Sequence, residues 1–518
     1  MRASAAALRV WTRCPRSLAR PVHNIYRHAV RCMVSLAEPP TIFALSTGAG
    51  RSAVAVVRLT GSKSGEALTA MAPALVRLPA PRLLHLVEVV DPASGQLLDK
   101  ALVTRFSGPR SYTGEDCVEF HLHGGPSVVR SVLAALGSLP GLRPAEPGEF
   151  TRRAFEAGKL DLTEVEGLAD LLAAGTQAQH RQALLHATGA VRRRYEGWRA
   201  RLLTALAAVE AVIDFGEDEG IADEVAAGVL PDMRALRAEL AGFLGGGQRG
   251  QLVRDGVRVA LVGPPNAGKS SLLNALAGRD AAIVSPFPGT TRDVMELELE
   301  LGGQRVILAD CAGIRETEDP VEAEGVRRAR ATLATAHIVV QLRDAQAVWA
   351  GDDAAAAQAG GLGGDSAPGE LSEAQLTLSV WNKADLLAEG QGPRGQGLGM
   401  PAELAPRDRG PPSTAPLLIS CETGEGLDDL TRLLGRAVED ILAQGGDPEA
   451  AALVTRARHA AALSRCVAAL ERYEGVWAAL ELAAEELRGA TRALGAISGV
   501  VDIEEVLDSV FSEFCIGK

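Results

Sequence analysis

The spacing of apolar residues divides the chain into three regimes. Short β-type runs come first: residues 41–43 and 53–59 read as strands, the second dense in valine and bounded by glycine-rich turns, and 116–123 alternates before Gly124-Gly125-Pro126. From Thr163 the period turns helical. Thr163-Glu164-Val165-Glu166 fits a capping box, and Leu168, Leu171 and Leu172 open a stripe that continues to Leu202, Leu206, Ala208 and Val212. After Gly256 compact apolar strands at 257–262, 306–310, 338–342, 376–381 and 417–420 alternate with helical stretches, which predicts a parallel α/β sheet buried on both faces. From Ala451 the helical period returns, and Ile503, Val506, Leu507, Val510 and Phe511 form one face behind Asp502 as a cap. Helices on both sides of the α/β stretch predict a multidomain α/β plus α chain, in which an inserted α/β domain interrupts a helical one.

Composition sharpens this picture. A length of 518 residues predicts about three or four domains. With 47% hydrophobic and 23% charged residues, the bulk is neither disordered nor fibrous. No apolar run approaches the roughly 18 residues of a membrane span. The seven cysteines are scattered, without metal-ligand spacing, so a reducing compartment is expected. Two Gly/Pro-rich stretches, 351–370 and 389–416, read as low-complexity loops.

Residues 1–34 hold seven arginines (Arg2, Arg9, Arg13, Arg16, Arg20, Arg27, Arg31) and no acid, the pattern of a mitochondrial transit peptide, which points to the matrix. The alternative is a basic tail that binds nucleic acid. Taking those seven charges from the net −12 leaves −19, so the body cannot hold RNA by non-specific phosphate attraction alone.

The candidate chemistry lies in the α/β stretch. Gly263-Pro264-Pro265-Asn266-Ala267-Gly268-Lys269-Ser270 fits G-x-x-x-x-G-K-[ST], follows a strand and precedes a helix carrying Leu272, Leu273 and Leu276. Backbone N–H groups of such a loop close around phosphate, Lys269 reaches the β/γ-phosphates and the Ser270 hydroxyl ligates Mg²⁺; Ala267 and Ser271 complete the cradle. Asp310-Cys311-Ala312-Gly313 ends the next strand, with Asp310 placed for the Mg²⁺ shell and the Gly313 N–H for the γ-phosphate. Asn382-Lys383-Ala384-Asp385 follows a later strand. A carboxylate there accepts from guanine N1–H and the exocyclic amine, a donor pair that adenine lacks, so Asp385 selects GTP over ATP. Ser420-Cys421-Glu422 completes the base pocket.

With Pro286-Phe287-Pro288-Gly289-Thr290-Thr291-Arg292-Asp293, these motifs resemble the MnmE/TrmE family of tRNA-modifying GTPases and its mitochondrial members. Ser111-Tyr112-Thr113-Gly114-Glu115-Asp116, His123-Gly124-Gly125-Pro126, Pro147-Gly148-Glu149-Phe150-Thr151, Lys159-Leu160-Asp161-Leu162, Asp214-Phe215-Gly216-Glu217 and Cys515-Ile516-Gly517-Lys518 match the family in order. The resemblance covers about residues 41–518 apart from the two loops.

Behind the transit peptide read at 1–34, it implies a folate-binding and dimerising α+β domain at 35–160, a helical domain in two parts (161–250 and 446–518), and a Ras-like P-loop GTPase domain at 251–445. It implies K⁺ held by Asn266 with Ser285, Phe287 and Thr290, Mg²⁺ ligated by Ser270, Thr291 and Asp310, and attacking water oriented by Glu322. Arg58, Glu115 and Lys159 stand where the family contacts a tetrahydrofolate derivative. Cys515 matches the terminal Cys-x-Gly-Lys and is a candidate for direct chemistry on a free tail; the alternative is an unreactive thiol. Cys311 departs from the threonine usual in the family. The implied activity is K⁺-dependent GTP hydrolysis in mitochondrial tRNA wobble-uridine (U34) C5 modification, forming 5-taurinomethyluridine from a tetrahydrofolate one-carbon donor, with a flavin-dependent partner, in a homodimer. Two rivals remain: a ribosome-assembly GTPase, and a folate-binding structural subunit with a vestigial GTPase.

Overall fold

The structure is a computed structural model that describes residues 39–215, 219–279, 296–310, 320–349, 376–387, 416–443 and 452–499, together with 507, 510, 511, 514 and 517. Residues 1–34, 351–370 and nearly all of 389–416, with Ser285, Phe287, Thr290, Thr291, Cys311, Gly313, Asp502, Ile503, Val506 and Cys515, lie outside the described residues. The chain divides into two compact units, 1–159 with Phe511–Lys518, and Leu160–Val510.

In the first unit a mixed sheet has the order β3-β4-β5-β2-β1-β6. Its strands are β1 (Thr41–Leu45), β2 (Val54–Thr60), β3 (His85–Val90), β4 (Leu97–Phe106), β5 (Cys117–His123) and β6 (Leu142–Pro144). Alternation decides which residues go inward: Val118, Phe120 and Leu122 of β5 meet Val57, Leu59 and Val103 in a core closed by Leu68 and Met71 of α1 (Ser64–Met71) and Val132 and Leu136 of α2 (Pro126–Gly137). Each such side chain is worth about 1.5–3 kcal/mol of burial. At the β1 end Phe150 of α3 (Glu149–Glu156) covers Ile42 and Ala44.

The end of the chain differs from the expectation of a free tail on the helical domain. Phe511 and Phe514 are buried, the Phe511 ring meets Phe155 edge-on at 6.4 Å, and the Ser46 hydroxyl donates to the Gly517 carbonyl at 3.0 Å. Two buried phenylalanines supply an anchor that nearness to the C-terminus does not reveal.

The second unit begins with α4 (Leu162–Ala173), α5 (Gln177–Ala187), α6 (Ala190–Phe215) and α7 (Glu219–Asp255), and ends with α12 (Ala457–Val476) and α13 (Leu480–Ser498). Tyr195, Leu202, Met233 and Leu240 from the earlier helices share one core with Leu463, Leu470, Leu487 and Leu494 from the later ones, so the two helical stretches form one bundle.

The helices differ from the sequence expectation in two places. The stripe from Leu168 to Val212 is three helices, broken at Gly175-Thr176 and Thr188-Gly189. The capping box is Asp161 with Glu164, whose side chains and backbone N–H groups bond reciprocally at 2.8 Å. Glu166, assigned to the cap from sequence, is instead buried against Arg458 and His459, with the Arg458 Nε bond at 2.5 Å and the His459 Nε2 contact at 3.0 Å. Burial alone would raise the Glu166 carboxyl, but His459 and Arg458 hold it well below the ordinary carboxylate range.

The α/β part carries a sheet of order β12-β11-β10-β7-β9-β8: β7 (Val257–Val262), β8 (Glu296–Leu301), β9 (Gln304–Asp310), β10 (Ile338–Asp344), β11 (Leu376–Asn382) and β12 (Leu417–Leu418). All neighbours run parallel except the β8–β9 hairpin. Helix α8 (Lys269–Ala277) packs Leu272, Leu273 and Leu276 on the sheet, and α11 (Leu427–Ala443) adds Leu430, Leu434 and Val438 to the same core. Helix α9 (Pro320–Thr335) places Leu333 against Val339, and the short α10 (Ala345–Trp349) follows β10.

Candidate active site

The loop joining β7 to α8 lies at the carboxyl end of the parallel strands, where open α/β sheets hold ligands. Gly263 passes so close to β10 that an added Cβ would stand 2.2 Å from the Leu342 carbonyl oxygen, and Gly268 so close to β11 that one would stand 2.2 Å from Asn382 Nδ2. Side chains at either place would push the loop off the sheet. Asn266 takes a left-handed backbone, φ +65°. Lys269 is 9% exposed and its ammonium donates to the Gly263 carbonyl at 2.9 Å and the Pro264 carbonyl at 3.2 Å. The lysine therefore rests on the loop's own oxygens, weaker acceptors than a phosphate would be.

Ser270 Oγ donates to Asp310 Oδ2 at 3.3 Å, across the gap between α8 and the end of β9. The other oxygen, Asp310 Oδ1, is buried with no hydrogen-bond partner among the described residues. A hydroxyl and a half-satisfied carboxylate side by side form a hard oxygen donor pair, which fits Mg²⁺.

The base end is built from β11 and the turn after β12. Asn382 is 2% exposed; its Nδ2 donates to the Ala267 carbonyl at 3.0 Å and its Oδ1 accepts from the Cys421 N–H at 3.2 Å. Lys383 follows with φ +65°, and Ser420 Oγ donates to Asp385 Oδ1 at 2.5 Å while accepting from the Thr423 N–H at 3.1 Å. One Asp385 oxygen is thus braced from behind. Burial pushes the Cys421 thiol up to about 11, so it lines the site as a neutral thiol.

One groove of about 820 Å³ joins the two ends and is lined by Asn266, Gly268, Lys269, Ser270 and Ser271, by Asp310, and by Asn382, Lys383, Asp385 and Cys421. That size suits a nucleotide. The structure therefore brings together the described part of the motif set, including Gly263, Ala267 and Ser420 as supports. Glu322 falls in α9, and its side chain, like Thr290, Thr291 and Gly313, is outside the described residues. Asp344, bonded to Lys383 Nζ at 2.6 Å, escaped the sequence reading. Its only signal was its place at a strand end, one strand over from Asn382.

In the other unit, Arg58 and Glu115 are already engaged. Arg58 Nε donates to Glu119 Oε1 at 2.8 Å and its guanidinium lies 5.4 Å from the Tyr112 ring centroid; Glu115 Oε2 accepts from Arg153 at 3.0 Å and from Thr60 at 3.0 Å. Burial raises the Tyr112 hydroxyl. Lys159 is exposed. Glu119, Arg153 and Thr60 were not singled out in the sequence; a second arginine directly after Thr151-Arg152 was the available sign.

A phosphate cradle and a braced carboxylate at opposite ends of one groove, on a mostly parallel sheet, place the chain among the P-loop GTPases. Comparison with known proteins narrows this. The family description "MnmE helical domain" matches residues 162–515, and "GTP-binding protein TrmE N-terminus" matches 41–159. The chain is 48% identical to human "5-taurinomethyluridine-[tRNA] synthase subunit GTPB3, mitochondrial" across 92% of this chain and 93% of the relative. It is 45% identical to the rat protein of the same name across 98% and 100%, and 47% identical to "tRNA modification GTPase MnmE" of Parvibaculum lavamentivorans across 92% and 100%. A solved Era variant from Aquifex aeolicus bound to GDP.AlF4- overlaps only 35% of this chain, at 26% identity and a TM-score of 0.24, too little to bear on the fold. The chain belongs to the MnmE/TrmE family.

Proposed function

We propose that this GTPase is the GTP-hydrolysing subunit of a mitochondrial complex that modifies tRNA wobble uridine (U34) at C5, forming 5-taurinomethyluridine. The observation that carries the reading is the continuous groove from Lys269 to Asp385 in a chain that shares 48% identity with the human relative of that activity. GTP and water become GDP and phosphate. Gly263, Ala267, Gly268 and Ser271 cradle the phosphates, Lys269 neutralises them, and Ser270, Asp310 and Thr291 hold Mg²⁺. Asn382, Lys383, Asp385, Ser420 and Cys421 take the guanine. Gly313 senses the γ-phosphate and Glu322 orients the attacking water. K⁺ held by Asn266, Ser285, Phe287 and Thr290 supplies positive charge against the charge that develops on the phosphates.

Arg58, Glu115 and Lys159 receive a tetrahydrofolate one-carbon donor in domain 35–160, which also forms the homodimer, and Cys515 acts near the uridine. Domains 161–250 and 446–510 transmit nucleotide state from domain 251–445. The 1–34 leader directs import to the matrix, where a flavin-dependent subunit joins the complex.

The test has two arms. Purified protein should hydrolyse GTP faster in potassium than in sodium, with the difference lost in Asn266→Ala. Mitochondrial tRNA from cells lacking the protein should lose the U34 modification by mass spectrometry. Normal tRNA with depleted ribosomal subunits would transfer the assignment to ribosome assembly, and absence of turnover would make the GTPase vestigial.

A further inference from the structure

Asp344 ends β10 abreast of Asn382, the residue that ends β11 in the parallel register. Its carboxylate divides its two oxygens between two tasks. Oδ1 accepts from the Gln346 N–H at 2.9 Å and the Ala347 N–H at 3.5 Å, closing the first turn of α10. Oδ2 accepts from Lys383 Nζ at 2.6 Å. Lys383 lines the groove, whereas Asp344 stands behind it.

The backbone of Lys383 is already set, because Asn382 on one side and Asp385 on the other are both hydrogen-bonded into the fold. Its side chain is not set by that. A long lysine stem keeps many rotamers until something holds its ammonium, and a ligand that docks against it must otherwise supply the ordering. An exposed ion pair does little of this, since two free side chains must be ordered to make it. Here the pair is part-buried, with 32% and 23% of the two side chains exposed, and the carboxylate is held beforehand by its backbone bonds. Only the lysine has freedom left to lose.

We propose that Asp344 is a positioning residue for guanine nucleotide binding: by holding Lys383 before the nucleotide arrives, it sets affinity and not the rate of hydrolysis. This rests on the reading that the groove takes GTP. Asp344→Asn and Asp344→Glu separate the two tasks of the carboxylate. Asparagine caps a helix as well as aspartate does but cannot pair with the ammonium; glutamate keeps the charge and caps poorly.

The experiment measures, on the full chain, KM and kcat for GTP, the off-rate of a fluorescent GDP, and Tm. Asp344→Asn should raise KM and the off-rate about fivefold, with kcat within about twofold of wild type and Tm unchanged, as expected for the ordering of one long side chain. Asp344→Glu should bind more tightly than Asp344→Asn while melting lower. In a Lys383→Ala background, Asp344→Asn should change nothing further. Wild-type affinity in Asp344→Asn, a drop in kcat at constant KM, or a Glu variant that binds more weakly than the Asn variant would overturn the inference. A wild-type chain that binds no guanine nucleotide would overturn the GTP reading instead.

Discussion

The Asn382 side chain donates to the Ala267 carbonyl at 3.0 Å, tying the base-recognition strand to the phosphate loop. Through its other atom it also takes the Cys421 N–H, so one buried amide joins three segments of the groove. Asn382→Ala removes both bonds at once. Its expected cost is about 1–3 kcal/mol of stability, together with about a tenfold or greater loss of GTP affinity. Thermal unfolding and fluorescent-nucleotide titration check this, and no change in either would refute it.

Asp385→Asn replaces one acceptor with a donor while Ser420 still has an oxygen to bond. Guanine then meets donor against donor, and GTP affinity should fall at least about a hundredfold. Xanthine, which carries a carbonyl in place of the exocyclic amine, should be accepted. Xanthosine triphosphate turnover by the variant, set against GTP turnover by wild type, is the measurement.

The unpartnered Asp310 oxygen beside Ser270 gives a metal prediction. Asp310→Asn keeps the shape and removes the charge, so the Mg²⁺ concentration for half-maximal hydrolysis should rise about 10- to 100-fold. An unshifted Mg²⁺ curve would remove Asp310 from the metal's surroundings.

Acid stability should depend on His186. Burial, with His459 next, lowers its pKa from 6.5 to about 4, and its Nε2 faces the Ala452 carbonyl at 2.8 Å. The unfolded chain therefore binds a proton that the folded chain refuses. His186 stability is complete above about 6.5 and is lost as pH falls toward 4. Asp161 acts oppositely, because burial raises it from 3.8 to about 6 and protonation favours the fold as pH falls through that window. Glu166, held low, loses its contribution below its ordinary 4.5. His186→Gln keeps a donor for Ala452 without the titration, so the Tm of the variant relative to wild type should rise as pH falls from 6.5 to 4. Parallel curves for the two proteins would count against this account.

Gly517 has φ +102°, and a Cβ there would stand 2.1 Å from the Leu45 carbonyl. Gly517→Ala should break the Ser46 contact and speed carboxypeptidase release of the last residues severalfold, while Tm moves by less than a few degrees. Equal digestion rates would show that the phenylalanines hold the tail without it.

The sequence alone determined the phosphate loop, the Asp310 and Asp385 strand ends and the parallel strands around them. These are local patterns: a buried strand is a continuous apolar run, and a phosphate cradle needs glycine at fixed spacing. β8 was not read, since its Glu-Leu alternation runs antiparallel at the sheet's edge, outside the buried pattern. Only the tertiary structure decided where Glu166 and Asp344 go. Glu166 meets Arg458 from 292 positions away, and Asp344 meets Lys383 from 39 positions away. A charge looks alike in sequence whether it faces solvent or a partner. Its role is set by which other charge the fold brings within about 3 Å, a distance no local pattern encodes.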